Sequence, residues 1–253
     1  MYLLAQPPPS RYDLNFTVAD IPIRVHPLFW LMTLLLGGVS GDIVQLVAWV
    51  AAVFLSILIH ELGHALTMRL FGQPSRIVLH LMGGLTVPEA SQWGARYATV
   101  ALSPRQEILI SLAGPGAGFL LATLVIAVVS LAGGFVGTAP LLGILPLPTA
   151  FLPLGGRFLN LFVGALLWVN VFWGLVNLLP VYPLDGGNVA RRLIIISDPW
   201  AGVRKSLWVS VIAGGIAAVV GLLLLKSIYV TFLFGILAIQ SYQSLQGHVG
   251  GSY

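Results

Sequence analysis

The sequence has no cysteine and very few charged side chains. Without cysteine there are no disulfides and no thiolate metal ligands, so any bound metal would need His, Asp or Glu. Charged residues make up 8% of the 253 residues, against about 25% in an ordinary soluble domain. Hydrophobic residues make up 58%, and the mean hydropathy is +0.97. So few charges cannot cover a water-exposed surface, so the composition indicates a polytopic membrane protein.

Six apolar segments are candidates for membrane crossings, each of which needs about 20 residues. We expect an all-α polytopic membrane protein with about six transmembrane helices. The first segment is short, and only Lys226 and its neighbours separate the last two. The N-terminus lacks the apolar region and cleavage site of a signal peptide, so the first segment is expected to remain in the mature chain. The segments are 27–39, 43–70, 108–131, 158–179, 207–225 and 227–242.

The distribution of Lys and Arg predicts the orientation of these spans. With six crossings, ten basic residues fall on the side of the N-terminus and two, Arg157 and Lys226, on the other. Because basic residues are enriched on the cytosolic side, both termini are predicted to be cytosolic in a multi-pass protein of the plasma membrane. The same parity places the end of the second span and the end of the fourth on the cytosolic side.

The loop between the second and third spans carries a strand pattern. Residues 76–82 are rich in β-formers, the chain breaks at Gly83 and Gly84, and an apolar run resumes at 85–87. This pattern predicts a small β-hairpin in a cytosolic loop. The loop 138–156 on the other side is apolar and rich in Pro and Gly, which suggests a loop at the membrane interface. No loop has room for a soluble domain, so residues 1–253 are expected to form one integral-membrane domain.

The second span contains His60, Glu61 and His64 in the pattern H-E-x-x-H. Residues four apart lie on one face of a helix, about 6 Å apart along its axis, so the two imidazoles can bind one ion. Glu61 is offset by about 100° around the helix and can reach a water on that ion without ligating it. This arrangement is typical of zinc proteases. The alternative is that the two are ordinary core histidines.

A catalytic zinc has three protein ligands and one open position. Beyond Glu61, the acidic residues in or near the spans are Asp42, Glu107 and Asp185. Asp42 is predicted on the opposite membrane face, and Glu107 at a helix N-terminus. Asp185 is predicted on the same side as His64, in a turn rich in Pro and Gly, and is the natural third ligand. The alternative role for Asp185 is to cap the helix that follows.

Four motifs in chain order resemble the site-2 protease family of intramembrane zinc metalloproteases, in its compact bacterial and archaeal branch. They are I-P-I-R-V-H-P at 21–27, H-E-L-G-H-A at 60–65, S-L-A-G-P at 111–115 and N-L-L-P-V-Y-P-L-D-G-G at 177–187. The resemblance covers most of the chain. A PDZ insertion and the C-terminal regulatory domain of many relatives are not found in the chain. Where relatives often have Asn, this chain has Gly118.

The resemblance implies a function and a set of site residues. His60, His64 and Asp185 would be ligands of one Zn²⁺ ion, with Glu61 as the general base and Asn177 as a contact to the substrate or the oxyanion. The substrate would be the transmembrane segment of another membrane protein, cleaved near the cytosolic face. Gly83 and Gly84 are expected to bind substrate, because a strand edge can pair with an unwound segment. Capping of the cytosolic mouth is the alternative role for these strands.

The expected partners are a transmembrane protein substrate and the lipid bilayer, and no nucleic acid. A homo-oligomer and a regulatory subunit are both left open by the sequence. Two competing functions remain: a catalytically silent membrane-binding relative, and a metal or solute transporter. A silent relative is expected to lose the Glu or a ligand, and a transporter more often has internal repeats. The sequence shows neither feature.

Overall fold

The computed structural model describes residues 7–37, 41–89, 101–141 and 145–249. Helices dominate it, accompanied by one four-stranded sheet and one two-stranded sheet. The elements in chain order are β1 (Leu14–Val18), β2 (Ile21–Val25), α1 (Pro27–Gly37), α2 (Ile43–Leu70), β3 (Ser75–His80), β4 (Gly83–Pro88), α3 (Pro104–Leu131), β5 (Phe135–Leu141), β6 (Leu145–Phe151), α4 (Gly156–Trp168), a π-helical turn (Val169–Trp173), α5 (Gly174–Asn177), α6 (Asp185–Ser197), α7 (Gly202–Leu223) and α8 (Ile228–Val249).

Within the described ranges, five helices are long and apolar enough to cross a membrane. They are α2, α3, the continuous helix Gly156–Asn177, α7, and Ile228–Gln246 of α8. Large apolar side chains lie exposed one turn apart along α3, at Leu120, Leu124 and Val128. Such a stripe suits contact with lipid and not with water. The predicted all-α membrane fold with a small sheet is therefore confirmed, and the chain is a multi-pass membrane protein.

The first predicted span is much shorter than the others. α1 has 11 residues and is about 16 Å long, whereas the hydrocarbon core is about 30 Å thick. α1 nevertheless runs alongside α2. The His26 amide donates to the Leu79 carbonyl at 2.8 Å, just before α1. Further along, the Trp49 indole near the start of α2 donates to the Thr33 carbonyl at 3.1 Å. The count of six crossings stays a prediction.

The four-stranded sheet has the order β1-β2-β3-β4. β3 and β4 form the predicted hairpin, and β2 pairs with β3 in parallel. The hairpin β1–β2 was not predicted, because residues 21–27 were interpreted only as one of the four family motifs. Its turn residues Ala19 and Asp20 have φ of 49° and 60°, as a two-residue hairpin turn requires. The loop predicted at 138–156 also contains strands, since β5 and β6 form the two-stranded sheet.

The described chain forms two compact units. The first contains the four-stranded sheet, α1, α2, α3 from Ala113 onward, β5, β6 from Pro146, α4 and the π-helical turn. Its main core packs the inner face of β2 and β3 against α2, with Ile23, Ile77 and Leu62 among the buried residues. The second unit contains the start of α3 and residues 175–249. Its core joins Val181 to Phe234 and Leu237 of α8.

Candidate metal centre

The two histidines of α2 lie side by side. The Nε2 atoms of His60 and His64 are 3.1 Å apart, and the rings meet nearly edge to face at 80°. Two imidazoles on one tetrahedral zinc, with Zn–N bonds of about 2.0–2.1 Å, would have their nitrogens about 3.3 Å apart. The observed separation therefore fits two ligands of one ion. His64 is buried and His60 half-buried.

Gly114 of α3 lets a second backbone approach these imidazoles. A Cβ at this position would overlap the ring of His64 and lie 2.7 Å from the Nε2 of His60. The approach is mutual, because a Cβ at Gly63 of α2 would overlap the Ala113 carbonyl. Any larger residue at either position would push the two helices apart. The S-L-A-G-P motif thus has a physical role here: it forms a close-packed wall beside the two ring nitrogens.

Glu61 is buried, with 6% of its surface exposed, and β4 lies along its carboxyl group. The Thr86 hydroxyl donates to Oε2 at 2.7 Å and also lies 3.1 Å from the main-chain oxygen of Glu61. A Cβ at Gly84 would overlap the Glu61 carboxyl. Thr86 was not among the predicted site residues. A hydroxyl in a strand carries no sequence signal for this role.

His80, at the end of β3, is not part of the metal-ligand group found in the described residues. Its side chain is buried, and its Nδ1 accepts from the Met82 amide at 3.4 Å. Burial holds the pKa of His80 below its ordinary value, with a smaller contribution in the same direction from His26 and Arg24, while the charge of Glu61 acts against it. A neutral imidazole is therefore favoured at this position.

Asp185 begins α6, directly after a turn built by close backbone contacts. A Cβ at Gly186 would overlap the Leu178 carbonyl, and one at Gly187 would overlap the Val181 backbone. The amide of Tyr182 in this turn donates to the Ser210 hydroxyl at 3.0 Å. The N-cap of α6 is Leu184, not Asp185, so the alternative role as a helix cap is not borne out. Asp185 lies in the first turn, where a carboxylate is favoured.

The other two acidic candidates are engaged elsewhere. Asp42 caps α2 by accepting from the Val44 amide at 3.0 Å, and it also pairs with Arg157. Glu107 accepts from Arg192 at 2.6 Å. Neither joins the group of metal-binding donors found in the described residues. That group consists of His60, His64 and Asp185, whose ligand atoms all lie within 4.8 Å of one another.

This donor set suits a metal such as zinc. Two imidazoles and one carboxylate are a known ligand set of catalytic zinc and leave one position open. The three donors lie close enough to one another to hold a single ion. The three residues selected from the sequence are thus the ones that could bind a metal together.

The predicted substrate-binding residues lie in different elements. Gly84 lies against Glu61, whereas Gly83 is the first residue of β4 and has a φ of 112°. Gly83 is therefore needed for the backbone conformation after the Leu81–Met82 turn. Asn177 is half-buried and ends α5, one residue before the turn that leads to Asp185.

A buried polar pair in the first unit was missed. Asn170 of the π-helical turn donates to the Ser56 hydroxyl at 2.8 Å. Ser56 lies one helical turn before His60 on the same face of α2. A Cβ at Gly118 would lie 3.2 Å from the Oδ1 of Asn170, so the Asn170 amide lies directly over that glycine. The available signal was a polar residue inside an apolar span.

Sequence comparisons find metalloproteases among the proteins that this chain is similar to. A profile of Peptidase family M50 matches residues 48–153 of the chain. A zinc metalloprotease of Methanocaldococcus jannaschii is 25% identical over 228 residues, which is 86% of this chain. A candidate zinc metalloprotease of Synechocystis is 28% identical over 188 residues, or 69% of this chain. The resemblance to the site-2 protease family is confirmed.

A solved structure shares the fold. The site-2 protease from Methanocaldococcus jannaschii superposes with a TM-score of 0.56 and 21% identity, covering 92% of this chain and 95% of that one. This chain spans 58% and 42% of the lengths of the M. jannaschii and Synechocystis metalloproteases. The prediction of a zinc metalloprotease agrees with the family match and with the two similar metalloproteases, and the solved structure supports the fold.

Proposed function

We propose that this chain is an intramembrane zinc-dependent endopeptidase that cleaves transmembrane segments of membrane-protein substrates near the cytosolic face. The observation that carries the proposal is the group of His60, His64 and Asp185 donors within 4.8 Å of one another. Glu61, adjacent to His60 on the same helix, supplies a buried carboxyl group. A metal site of this type within apolar helices suits hydrolysis of a substrate that is itself in the membrane.

His60, His64 and Asp185 would hold one Zn²⁺ ion. A bound zinc ion supplies Lewis acidity, which polarises the scissile carbonyl and activates water near neutral pH. Glu61 takes the proton of the attacking water and then delivers it to the leaving nitrogen. The Asn177 amide donates a hydrogen bond to the substrate carbonyl oxygen as that oxygen gains negative charge.

The substrate segment must unwind before cleavage, because the carbonyls of a transmembrane helix are engaged in its own hydrogen bonds. We place the unwound segment on the open edge of β4, at Gly83 and Gly84. β4 lies at the end of the described sheet, and its Gly84 touches Glu61. A peptide added to this edge gains main-chain hydrogen bonds and lies beside the proposed base.

Both termini are proposed to be cytosolic in the plasma membrane. The excess of basic residues on that side supports this orientation. The parallel pairing of β2 with β3 supports a shared membrane side for the residues before α1 and those after α2, because it places the two segments next to each other. α1 then runs along α2 towards the first turns of that helix, where the Trp49 indole donates to the Thr33 carbonyl.

The function is tested by cleavage of a single-span substrate in liposomes that contain the full chain. Wild type is compared with Glu61→Gln, with a chelator-treated sample, and with Glu89→Gln as a control for the loss of an exposed carboxylate. Bound zinc is measured in each sample. We expect Glu61→Gln to lose activity by about a hundredfold to ten-thousandfold while zinc stays bound, and Glu89→Gln to behave as wild type.

Other outcomes would contradict the proposal. Zinc binding without Glu61-dependent cleavage would favour the silent relative, and zinc crossing the liposome membrane would favour the transporter. The absence of bound zinc in the wild type would rule out the site itself.

Strand addition is tested separately by cross-linking. The native chain has no cysteine, so single cysteines report unambiguously on their neighbours. Leu85→Cys on β4 is expected to form a disulfide with a cysteine in the unwound substrate segment, because paired strands bring Cα atoms within about 7 Å. Thr17→Cys on β1, at the other end of the sheet, is the control. Equal cross-linking at both positions would contradict substrate pairing with β4.

A further inference from the structure

We propose that Thr86 is a positioning residue that sets the direction of the Glu61 carboxyl group and thereby couples the base to the strand that receives the substrate. The inference rests on the proposed protease function and deepens it. Strand β4 would then have two roles: its edge binds the substrate, and its inner face orients the Glu61 carboxyl group.

The Thr86 hydroxyl reaches two acceptors of the same residue. It lies 2.7 Å from the Oε2 of Glu61 and 3.1 Å from the Glu61 main-chain oxygen. A hydroxyl has one hydrogen, and the carboxyl oxygen is the nearer of its two acceptors. The hydrogen bond to Oε2 therefore dominates, and the short distance to the main-chain oxygen keeps the hydroxyl close to the helix. Together these contacts fix the orientation of the Glu61 side chain.

Gly84 restricts the other side of the same carboxyl group. A Cβ at this position would overlap Oε1, Cγ and Cδ of Glu61. Gly84 and Thr86 are two residues apart on one strand and therefore face the same side of the sheet. Glu61 thus contacts β4 at both carboxyl oxygens: Oε1 lies against the Gly84 backbone and Oε2 receives the Thr86 hydrogen bond.

Because Glu61 is buried, the hydrogen bond from Thr86 strongly affects the orientation of its carboxyl group. Glu61 is 6% exposed, so little water is available to replace a lost donor. A hydrogen bond is stronger in such surroundings than in water, and its loss is correspondingly costly. Without Thr86 the carboxyl group would have more than one orientation, and only a fraction of molecules would have the base aimed at the attacking water.

The hairpin geometry links Thr86 to the substrate. His80 and Gly83 close the two-residue turn of β3 and β4, and in such a hairpin the closing pair is hydrogen-bonded. The alternation along the ladder then leaves the N–H and C=O groups of Gly84 and Thr86 pointing to the open edge. A paired substrate would bond the main chain of the same two residues whose inner face holds Glu61. Pairing of the substrate with β4 would therefore hold the Glu61 carboxyl group in place as well as the peptide.

The test measures kcat and KM of the full chain in liposomes for wild type, Thr86→Val, Thr86→Ser and a matched control. Thr86→Val keeps the shape of the side chain and removes the hydroxyl, and Thr86→Ser keeps the hydroxyl. The control is Thr123→Val on α3, whose hydroxyl donates to the Phe119 carbonyl and is exposed. Zinc content is measured for each protein.

We expect Thr86→Val to lower kcat by about 10–100-fold, the usual effect of removing a partner that orients a metal-site residue. KM and zinc content should stay within about twofold of wild type. Thr86→Ser and Thr123→Val should retain wild-type kcat. A kcat of Thr86→Val within about twofold of wild type would overturn the inference, as would a Thr86→Ser variant as impaired as Thr86→Val.

Infrared spectroscopy provides a measurement that does not depend on activity. The carboxyl band of Glu61 is assigned from the difference between wild type and Glu61→Gln. Thr86→Ala, a second variant in case Thr86→Val does not fold, is expected to shift this band, and Thr123→Val is expected to leave it in place. An unshifted band in Thr86→Ala would overturn the inference.

The two proposals fail in different ways. If Glu61→Gln remains active, the proposed function fails and the inference with it. If Glu61→Gln is inactive while Thr86→Val is fully active, only the role of Thr86 fails.

Discussion

The segment of α2 that carries His60 and His64 and the turn that leads to Asp185 supply metal ligands in different ways. In α2, regular helix geometry alone places two imidazoles with their Nε2 atoms 3.1 Å apart. In the turn, the backbone lies against two glycines at the start of α6, and the Tyr182 amide donates to a hydroxyl of α7. The first arrangement is local, whereas the second depends on residues distant in sequence.

Both regions nevertheless rely on glycine. Gly114 lets α3 approach the imidazoles, and Gly186 lets α6 begin against the Leu178 carbonyl. The difference lies in what a substitution would disturb. A side chain at position 114 would move a helix that lies next to the ligands, whereas a side chain at position 186 would displace the residue that follows the ligand itself. The turn should therefore be the more sensitive region.

The largest effect is expected for Gly186→Ala. The added Cβ would overlap the Leu178 carbonyl, and overpacking of this kind typically costs about 1–3 kcal/mol. Because Asp185 precedes this position, we expect zinc affinity to fall by about a hundredfold, measured by competition with a chelator. Gly235→Ala on α8 is the control, since nothing lies within 4 Å of its Cβ position. Equal zinc affinity in the two variants would contradict the account of the turn.

Gly114→Ala is expected to have the next largest effect. Its Cβ would overlap the His64 ring, but the two histidines stay on one helix, so we expect zinc affinity to fall by about tenfold. Gly116→Ala is a matched control on the same helix, with open space at its Cβ position. If Gly114→Ala lowers the affinity more than Gly186→Ala does, the proposed difference between the two regions is wrong.

Ser210→Ala tests the distant support of the turn. The Tyr182 amide would lose its acceptor in a partly buried hydrogen bond, and such a bond typically contributes about 0.5–1.5 kcal/mol. We expect a lower midpoint of thermal unfolding and a zinc affinity reduced by less than tenfold. Ser197→Ala, an exposed serine that bonds the Leu193 carbonyl, should unfold as wild type does. An unchanged midpoint in Ser210→Ala would show that the turn holds without α7.

The smallest effect is expected for Thr67→Val in α2. Its hydroxyl donates to the Gly63 carbonyl at 2.8 Å, an oxygen within a regular helix. The helix does not need this additional bond, so the free energy of unfolding should change by less than about 0.5 kcal/mol. Zinc content should not change. A large loss would mean that the α2 segment also depends on individual side-chain contacts.

The same contrast explains what the sequence could predict. The H-E-x-x-H spacing predicted the two neighbouring histidines, because a helix repeats every 3.6 residues. Asp185 was selected by elimination and by its turn-rich surroundings, and the structure groups it with both histidines. Five of the six predicted apolar segments, which correspond to the long apolar helices, and the β3–β4 hairpin also followed from local patterns.

Non-local contacts were beyond the sequence. The pairing of β2 with β3 joins segments some 50 residues apart, and no local pattern reports such a register. The contact of Thr86 with Glu61 depends on that sheet lying against α2. The bond between Asn170 and Ser56 crosses 114 positions. Each of these needs the tertiary arrangement before the residue pair has meaning.

The most direct test of the central claim is X-ray absorption at the zinc edge of purified wild-type protein, Asp185→Asn and the control Asp198→Asn. We expect one zinc per chain in the wild type, with two imidazole nitrogens at about 2.0–2.1 Å and oxygen ligands completing the site. Asp185→Asn should lose zinc or change its oxygen ligands, while Asp198→Asn should match the wild type. A wild type without zinc, or an Asp185→Asn spectrum identical to it, would contradict the site proposed here.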